Sequence, residues 1–233
     1  MLYLRQARYK EAEHLYLRAL AARERTLGEQ DPDTLESLHN LAVLYENQKR
    51  PTEAEPLYLR ALDGRAEVLG AEHPDTLTSM NDLALHYMRL SRYAEAARLY
   101  QRALAGREKV LGADHPDTLE SLHNLAGLYY YQGRYAESEP LYLQTLAGRE
   151  KVLGEEHPST LTSLNNLAML YFRQRRYAEA EPLHARAVPS MEKALGPTHP
   201  TTIRVANNYA FLLRKLGRDD EACALEARFP KKS

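Results

Sequence analysis

The sequence predicts an all-α protein, a right-handed superhelix of stacked antiparallel helix pairs, and three observations predict it. The first is composition: 39 Leu and 31 Ala stand against 6 Val and 1 Ile in 233 residues, a helix-favouring balance that a sandwich, barrel or parallel sheet would reverse. The second is a period. Gly28, Gly70, Gly112, Gly154 and Gly196 recur every 42 residues, and so do Asp31-Pro32, His73-Pro74, His115-Pro116, His157-Pro158 and His199-Pro200. A fixed step of this length marks an array of small units that bury their apolar faces on one another. The third is apolar spacing within each unit, at three and four residues, the pattern of a helix with one buried stripe.

In that frame the chain is a single array. Residues 1–29 are a partial first repeat, 30–71, 72–113, 114–155 and 156–197 are full repeats, 198–229 form a shortened last repeat and 230–233 a tail. The unit from His115 to Gly154 serves as the pattern. Its first helix is expected from about Asp117 to Gln132, with Leu119, Leu122, Leu125, Ala126 and Tyr129 inward and Asp117 or Thr118 as N-cap. Gly133 breaks it. The second helix is expected from Tyr135 to Leu153, with Leu141, Tyr142, Thr145, Leu146 and Val152 inward. Ala126 marks the crossing of the two helices, where a small side chain permits close approach. Residues 2–9 match 170–177, so the chain is expected to begin inside a first-type helix, as a piece of a longer protein would. Pro189 stands mid-helix where other copies carry Ala or Asp, and a kink is expected there.

Most chemical classes find no support. With 31 Lys+Arg against 32 Asp+Glu the chain offers no global charge for nucleic acid or membrane surfaces. No apolar run is long enough to span a bilayer, and the start lacks a signal peptide's apolar stretch. Cys223 is the single cysteine, which excludes an internal disulfide and is expected to be a passive thiol. A cytoplasmic, monomeric protein without a cofactor is expected. The four His-Pro pairs lie one repeat apart, on the order of 10 Å, too far to share a metal; they are expected to bond to the next helix's first turn. Arg23-Glu24, Arg107-Glu108 and Arg149-Glu150 are expected to be a solvated, ion-paired surface. No phosphate loop, GxSxG or HExxH occurs, so an enzyme is not expected.

Leu122, Leu125, Ala126, Tyr129, Tyr135, Tyr142 and Leu146 give the order Leu-x-x-Leu-Ala-x-x-Tyr, a turn, then Tyr and Leu of a second helix. This order resembles the tetratricopeptide repeat. The usual repeat has about 34 residues; the longer form here is similar to the repeats of kinesin light chain and its bacterial and fungal relatives. The resemblance implies a concave groove lined by the first helix of each repeat. It also implies that Asn residues before the Leu-Ala pair contact cargo.

Those pairs are His39-Asn40, Asn81-Asp82, His123-Asn124, Asn165-Asn166 and Asn207-Asn208. An Asn carries both donor and acceptor, so the ladder either holds the backbone of an extended peptide or ties each helix to the neighbouring repeat, and both readings stand. One turn on, the lining varies: Gly127, Tyr130 and Tyr131, then Met169, Phe172 and Arg173, then Phe211, Arg214 and Lys215. Residues 33–49 and 117–133 each carry −2, whereas Arg173 and Arg175 give 159–175 a charge of +2, and Arg204, Arg214 and Lys215 give 201–217 a charge of +3. The expected function is a non-enzymatic interaction module. Its ligand is expected to be an extended protein or peptide segment with acidic and apolar residues, and neither nucleic acid nor membrane. The expected groove residues are Asn124, Tyr130, Asn165, Asn166, Phe172, Arg173, Arg204, Asn207, Asn208, Phe211, Arg214 and Lys215. The alternative is a sensor or regulatory repeat segment of a larger signalling protein, linked to an ATPase or a protease.

Overall fold

The computed structural model describes residues 9–229. Eleven helices and no strand occur among them: α1 (Tyr9–Thr26), α2 (Pro32–Asn47), α3 (Pro51–Val68), α4 (Pro74–Arg89), α5 (Tyr93–Leu111), α6 (Pro116–Tyr131), α7 (Tyr135–Leu153), α8 (Pro158–Arg173), α9 (Tyr177–Leu195), α10 (Pro200–Lys215) and α11 (Asp219–Arg228). The helix remnant expected at residues 2–8 and the tail 230–233 lie outside the described residues. The chain divides into two compact units, residues 1–112 with α1–α5 and residues 113–233 with α6–α11. Within each, short turns join antiparallel neighbours, and the first helix of a pair packs on the second.

Each first helix starts the same way. The residue before its proline is extended and its side chain accepts a backbone N–H: Asp31 Oδ1 from Asp33 at 2.9 Å, and His73, His115, His157 and His199 Nδ1 from Asp75, Asp117, Ser159 and Thr201 at 3.1–3.2 Å. The cap is thus the His of the His-Pro pair, one residue ahead of Pro116, and neither Asp117 nor Thr118. Proline fits at the first helical position because its missing N–H has no partner there. Replacing His115 by Ala is expected to cost about 1 kcal/mol, while Asp, which caps α2, should be tolerated. Equal urea midpoints for native and His115→Ala at pH 7 would contradict this role.

Ala42, Ala84, Ala126, Ala168 and Ala210 are fully buried. Ser138 Oγ on α7 donates to the Ala126 carbonyl on α6 at 2.8 Å, which places the helix crossing at this alanine. A second close approach lies at the far end of the pair, where a Cβ on Gly148 would stand 2.4 Å from Leu119 Cδ2. Beside it the sequence expectation fails. Arg107 and Arg149 are 3% and 9% exposed, and Arg149 Nη1 donates to Ser163 Oγ and the Ser159 carbonyl. Glycine draws the helices together, so the arginine stem is enclosed and its head tethers the next repeat's first turn. Val152, expected inside, is 43% exposed at the end of α7. The helix α9 runs unbroken through Pro182 and Pro189.

The turns carry a repeated arginine. Arg92 lies 4.1 Å from the Tyr87 ring centroid, and Arg176 4.2 Å from that of Tyr171. Each then pairs with two glutamates, Glu55 and Glu95 for Arg92, and Glu139 and Glu179 for Arg176. Glu139 belongs to the preceding repeat's second helix, so Arg176 links α7 to the turn after α8. Among the described first helices, α4 alone puts a histidine at a core leucine's place. His86 of α4 stands where Leu44, Leu128, Leu170 and Leu212 are buried, and it bonds to Glu46, whose other oxygen takes Arg89 at 2.8 Å.

Candidate functional site

In the unit 113–233 the first helices α6, α8 and α10 lie side by side and share a face. Two sets of contacts define it. Near the middle of the helices runs an amide ladder: Asn166 Nδ2 meets His123 Nε2 at 3.1 Å, Asn165 Nδ2 donates to Asn166 Oδ1 at 3.2 Å, and Asn208 Nδ2 donates to Asn165 Oδ1 at 3.0 Å. His39 and Asp82 make the equivalent bond in the other unit, at 3.0 Å. The pair preceding Leu-Ala therefore ties α2 to α4 in one unit, and α6 to α8 and α8 to α10 in the other. Asn165 is 1% exposed, so its amide is spent on the scaffold and is closed to a ligand. Asn124, Asn166, Asn207 and Asn208 are half-buried and keep an accessible edge.

One to two turns further lies a strip of rings and cations. Arg173 Nε donates to the Tyr130 hydroxyl at 3.1 Å, a bond that also raises the affinity of the guanidinium for its proton. The Phe172 and Phe211 centroids are 5.1 Å apart, and Lys215 Nζ lies 5.6 Å from the Phe211 centroid. Tyr131 packs edge-on to Tyr130 at 5.6 Å and is 66% exposed; Phe211 is 48% exposed. Arg204 is exposed at the first turn of α10, on the same stripe as Asn208, Phe211 and Lys215.

Arg214 departs from its expected place. Both its terminal nitrogens donate to Glu226 of α11, at 2.7 Å each. Its charge is neutralised within the pair, so it joins α10 to the last helix instead of offering a cation to the face. Sequence reasoning missed Glu226 because the shortened last helix departs from the repeat, and no other copy shows a glutamate there. It named His123 as a member of a ladder pair and Tyr142 as an inward residue, and placed neither among the groove residues. Burial and the nearby Arg149 guanidinium hold the His123 ring neutral down to a pKa of about 3. Burial, with Tyr130 and Tyr131 close by, pushes the Tyr142 phenol up.

A cleft of about 380 Å³ opens before the ladder, between the N-terminal halves of α6 and α8, lined by Asp117, Glu120, His123, Asn124, Arg149 and Thr162 among others. Among the described residues no group of three His, Cys, Asp or Glu side chains is placed to hold a metal ion. No described helix is long and apolar enough to cross a membrane. The face is therefore suited to non-covalent recognition, with hydrogen-bonding edges beside an aromatic and cationic strip.

The tetratricopeptide-repeat family model matches residues 1–65, 39–109, 80–151, 122–193 and 159–227. Among solved structures, the chain is similar to nearly identical TPR-like repeats from a Podosopora anserina protein named for kinesin light chain. That match has 32% identity and a TM-score of 0.74, over 85% of this chain and 93% of that one. BtubC (BKLC) from P. vanneervenii matches at 23% identity and a TM-score of 0.79, over 97% and 96%. The apo quorum sensor NprR from B. thuringiensis matches at 17% and 0.74, over 97% and 62%. The last two are likenesses of fold. No curated protein matches the chain. The repeat frame, the capped helix pairs and these matches agree: the chain belongs to the tetratricopeptide-repeat family, and its repeats are similar to those named for kinesin light chain.

Proposed function

We propose that the face formed by α6, α8 and α10 binds an extended segment of a partner protein that carries carboxylates beside an apolar or aromatic side chain. Tetratricopeptide-repeat proteins are generally non-enzymatic scaffolds that bind protein or peptide partners. One likeness of fold, at 17% identity and a TM-score of 0.64, is NprR in complex with its cognate peptide NprX. The observation that carries the reading is the strip itself: Tyr130 of α6 takes a bond from Arg173 of α8, and Phe172 of α8 packs on Phe211 of α10, which Lys215 approaches. Exposed rings interleaved with cations favour an anchor flanked by acidic residues. Arg173, Arg204 and Lys215 supply the positive field. Asn166 and Asn208 offer their free edges to the peptide backbone.

A flexible segment loses conformational entropy on binding, so micromolar affinity is expected. Part of the attraction is long-range and weakens with salt as the screening length shortens to ~8 Å and below. The test is fluorescence anisotropy of a labelled peptide with one tyrosine among six glutamates, at two salt concentrations. Arg173→Glu combined with Lys215→Glu should abolish its binding, and higher salt should weaken binding to the native chain. Equal binding by the two proteins, or a native preference for a lysine-rich peptide, would overturn the reading.

A further inference from the structure

We propose that Arg102, on the second helix α5, docks an acidic turn of a partner protein, whose two carboxylates replace a pair the array has lost. The site lies in the unit 1–112, away from the face described above, and does not depend on that reading.

The repeat defines what belongs there. Arg60 stands one repeat before Arg102, and its Nη2 lies 2.9 Å from Glu24 of α1 and 3.0 Å from Glu29 of the loop that follows. Arg186 of α9 pairs in the same way with Glu150 and Glu155, at 2.7 and 3.1 Å. Arg228 keeps one such partner, Glu192, at 2.7 Å. The matching positions for Arg102 are 66, on α3, and 71, in the loop after it, and both are alanine. Arg102 is exposed and pairs with no side chain among the described residues. Where the sequence next drops the loop glutamate, at Ala113, it drops the arginine as well, at Gln144. Of Arg60, Arg102, Arg186 and Arg228, only Arg102 is kept with both carboxylates gone.

The loss also leaves room. A hollow of about 330 Å³ opens between α4, α5 and the loop before α4, lined by Ala71, Ala105 and the buried Leu77 and Met80. The second cation at this hollow is already neutralised, because Lys109 Nζ donates to both oxygens of Glu72 at 2.6 and 2.7 Å. Arg102 is thus an uncompensated charge beside an apolar hollow. A glutamate fits that combination: its methylenes cover apolar surface while its carboxylate reaches the guanidinium. The two filled copies give the spacing of the occupant, glutamates five residues apart where a helix runs into a turn. A partner that presents such a turn restores both pairs. An ion pair to an exposed arginine is weak by itself, and the hollow supplies the apolar part of the contact.

The test follows labelled methionine methyls and arginine side chains of the full chain by NMR. The probe is a ring-free alanine peptide with two glutamates five positions apart. The Met80 methyl and the Arg102 Nε–H should shift together and saturate, with a Kd on the order of millimolar. Arg102→Gln should weaken the peptide about fivefold or more. Ala66→Glu with Ala71→Glu restores the carboxylates that other copies carry and closes the site from within. That variant should melt no lower than the native chain and show no Met80 shift. Absence of a saturable shift in the native protein, or native binding by either variant, would overturn the site. Free glutarate that shifts Met80 as strongly as the peptide would overturn the assignment to a partner protein. So would a sedimenting mass that rises with concentration in the native chain and not in Arg102→Gln, since a second copy would then be the occupant.

Discussion

Lowering the pH from 7 to 5 is expected to destabilise the fold by about 4 kcal/mol through two histidines. His184 is fully buried against the Tyr209 ring at 5.8 Å, and neither ring nitrogen has a hydrogen-bond partner. Burial lowers its pKa to about 4, and that of His123 to about 3. The ordinary value is about 6.5. Between the folded and unfolded values the unfolded chain binds a proton that the folded chain refuses. Stability is therefore complete above about pH 6.5 and is lost as pH falls, by about 1.4 kcal/mol per unit for each histidine, until the folded ring itself protonates. The glutamates paired in the turns, such as Glu179, are held below their ordinary range and lose their contribution only at lower pH. The window from 6.5 to 5 thus isolates the histidines. The repeat supplies its own control, because other copies carry Tyr at the position of His184 and Asn at that of His123. Urea midpoints at pH 7 and 5 for native and His123→Asn/His184→Tyr proteins give the test. Equal midpoints for the native chain, or an equal drop in both proteins, would contradict the assignment.

Replacing Ala126 by Leu is expected to cost about 1–3 kcal/mol from overpacking. The side chain has no exposed surface, and the neighbouring helix is held by the bond from Ser138 to the Ala126 carbonyl. Three added carbons must push α6 from α7 or force strained rotamers, and loss of the Ser138 bond adds about 1 kcal/mol. For a chain of this size the melting temperature should fall by roughly 2–4 °C per kcal/mol. An unchanged thermal melt would show that the helices do not cross at this alanine.

The scaffold was legible because it is repeated. Five alanines in phase, the step of four His-Pro pairs and one Asp-Pro pair, and the glycine breaks survive as buried crossings, caps and helix ends. What the sequence hid depends on contacts between repeats. Arg149 reads as one half of a surface Arg-Glu pair, yet Gly148 lets α7 approach Leu119 so closely that the arginine is enclosed. His86 drew no expectation from the sequence, yet it occupies a leucine's place and bonds to Glu46 of the previous first helix. The face was legible in composition and less so in geometry. Phe172 meets Phe211, and Tyr130 meets Arg173, across neighbouring first helices. Asn165 and Arg214 lie on the expected helices, but their polar groups are taken by Asn208 and Glu226, partners about 43 and 12 residues away.

The central claim is that the first-helix face of the unit 113–233 is the working surface. Hydrogen exchange with and without the glutamate-rich tyrosine peptide tests it most directly. Binding should slow exchange in 124–131, 166–173 and 207–215, on α6, α8 and α10, and leave α7 and α9 unchanged. Slowing confined to α7 and α9 would contradict the account.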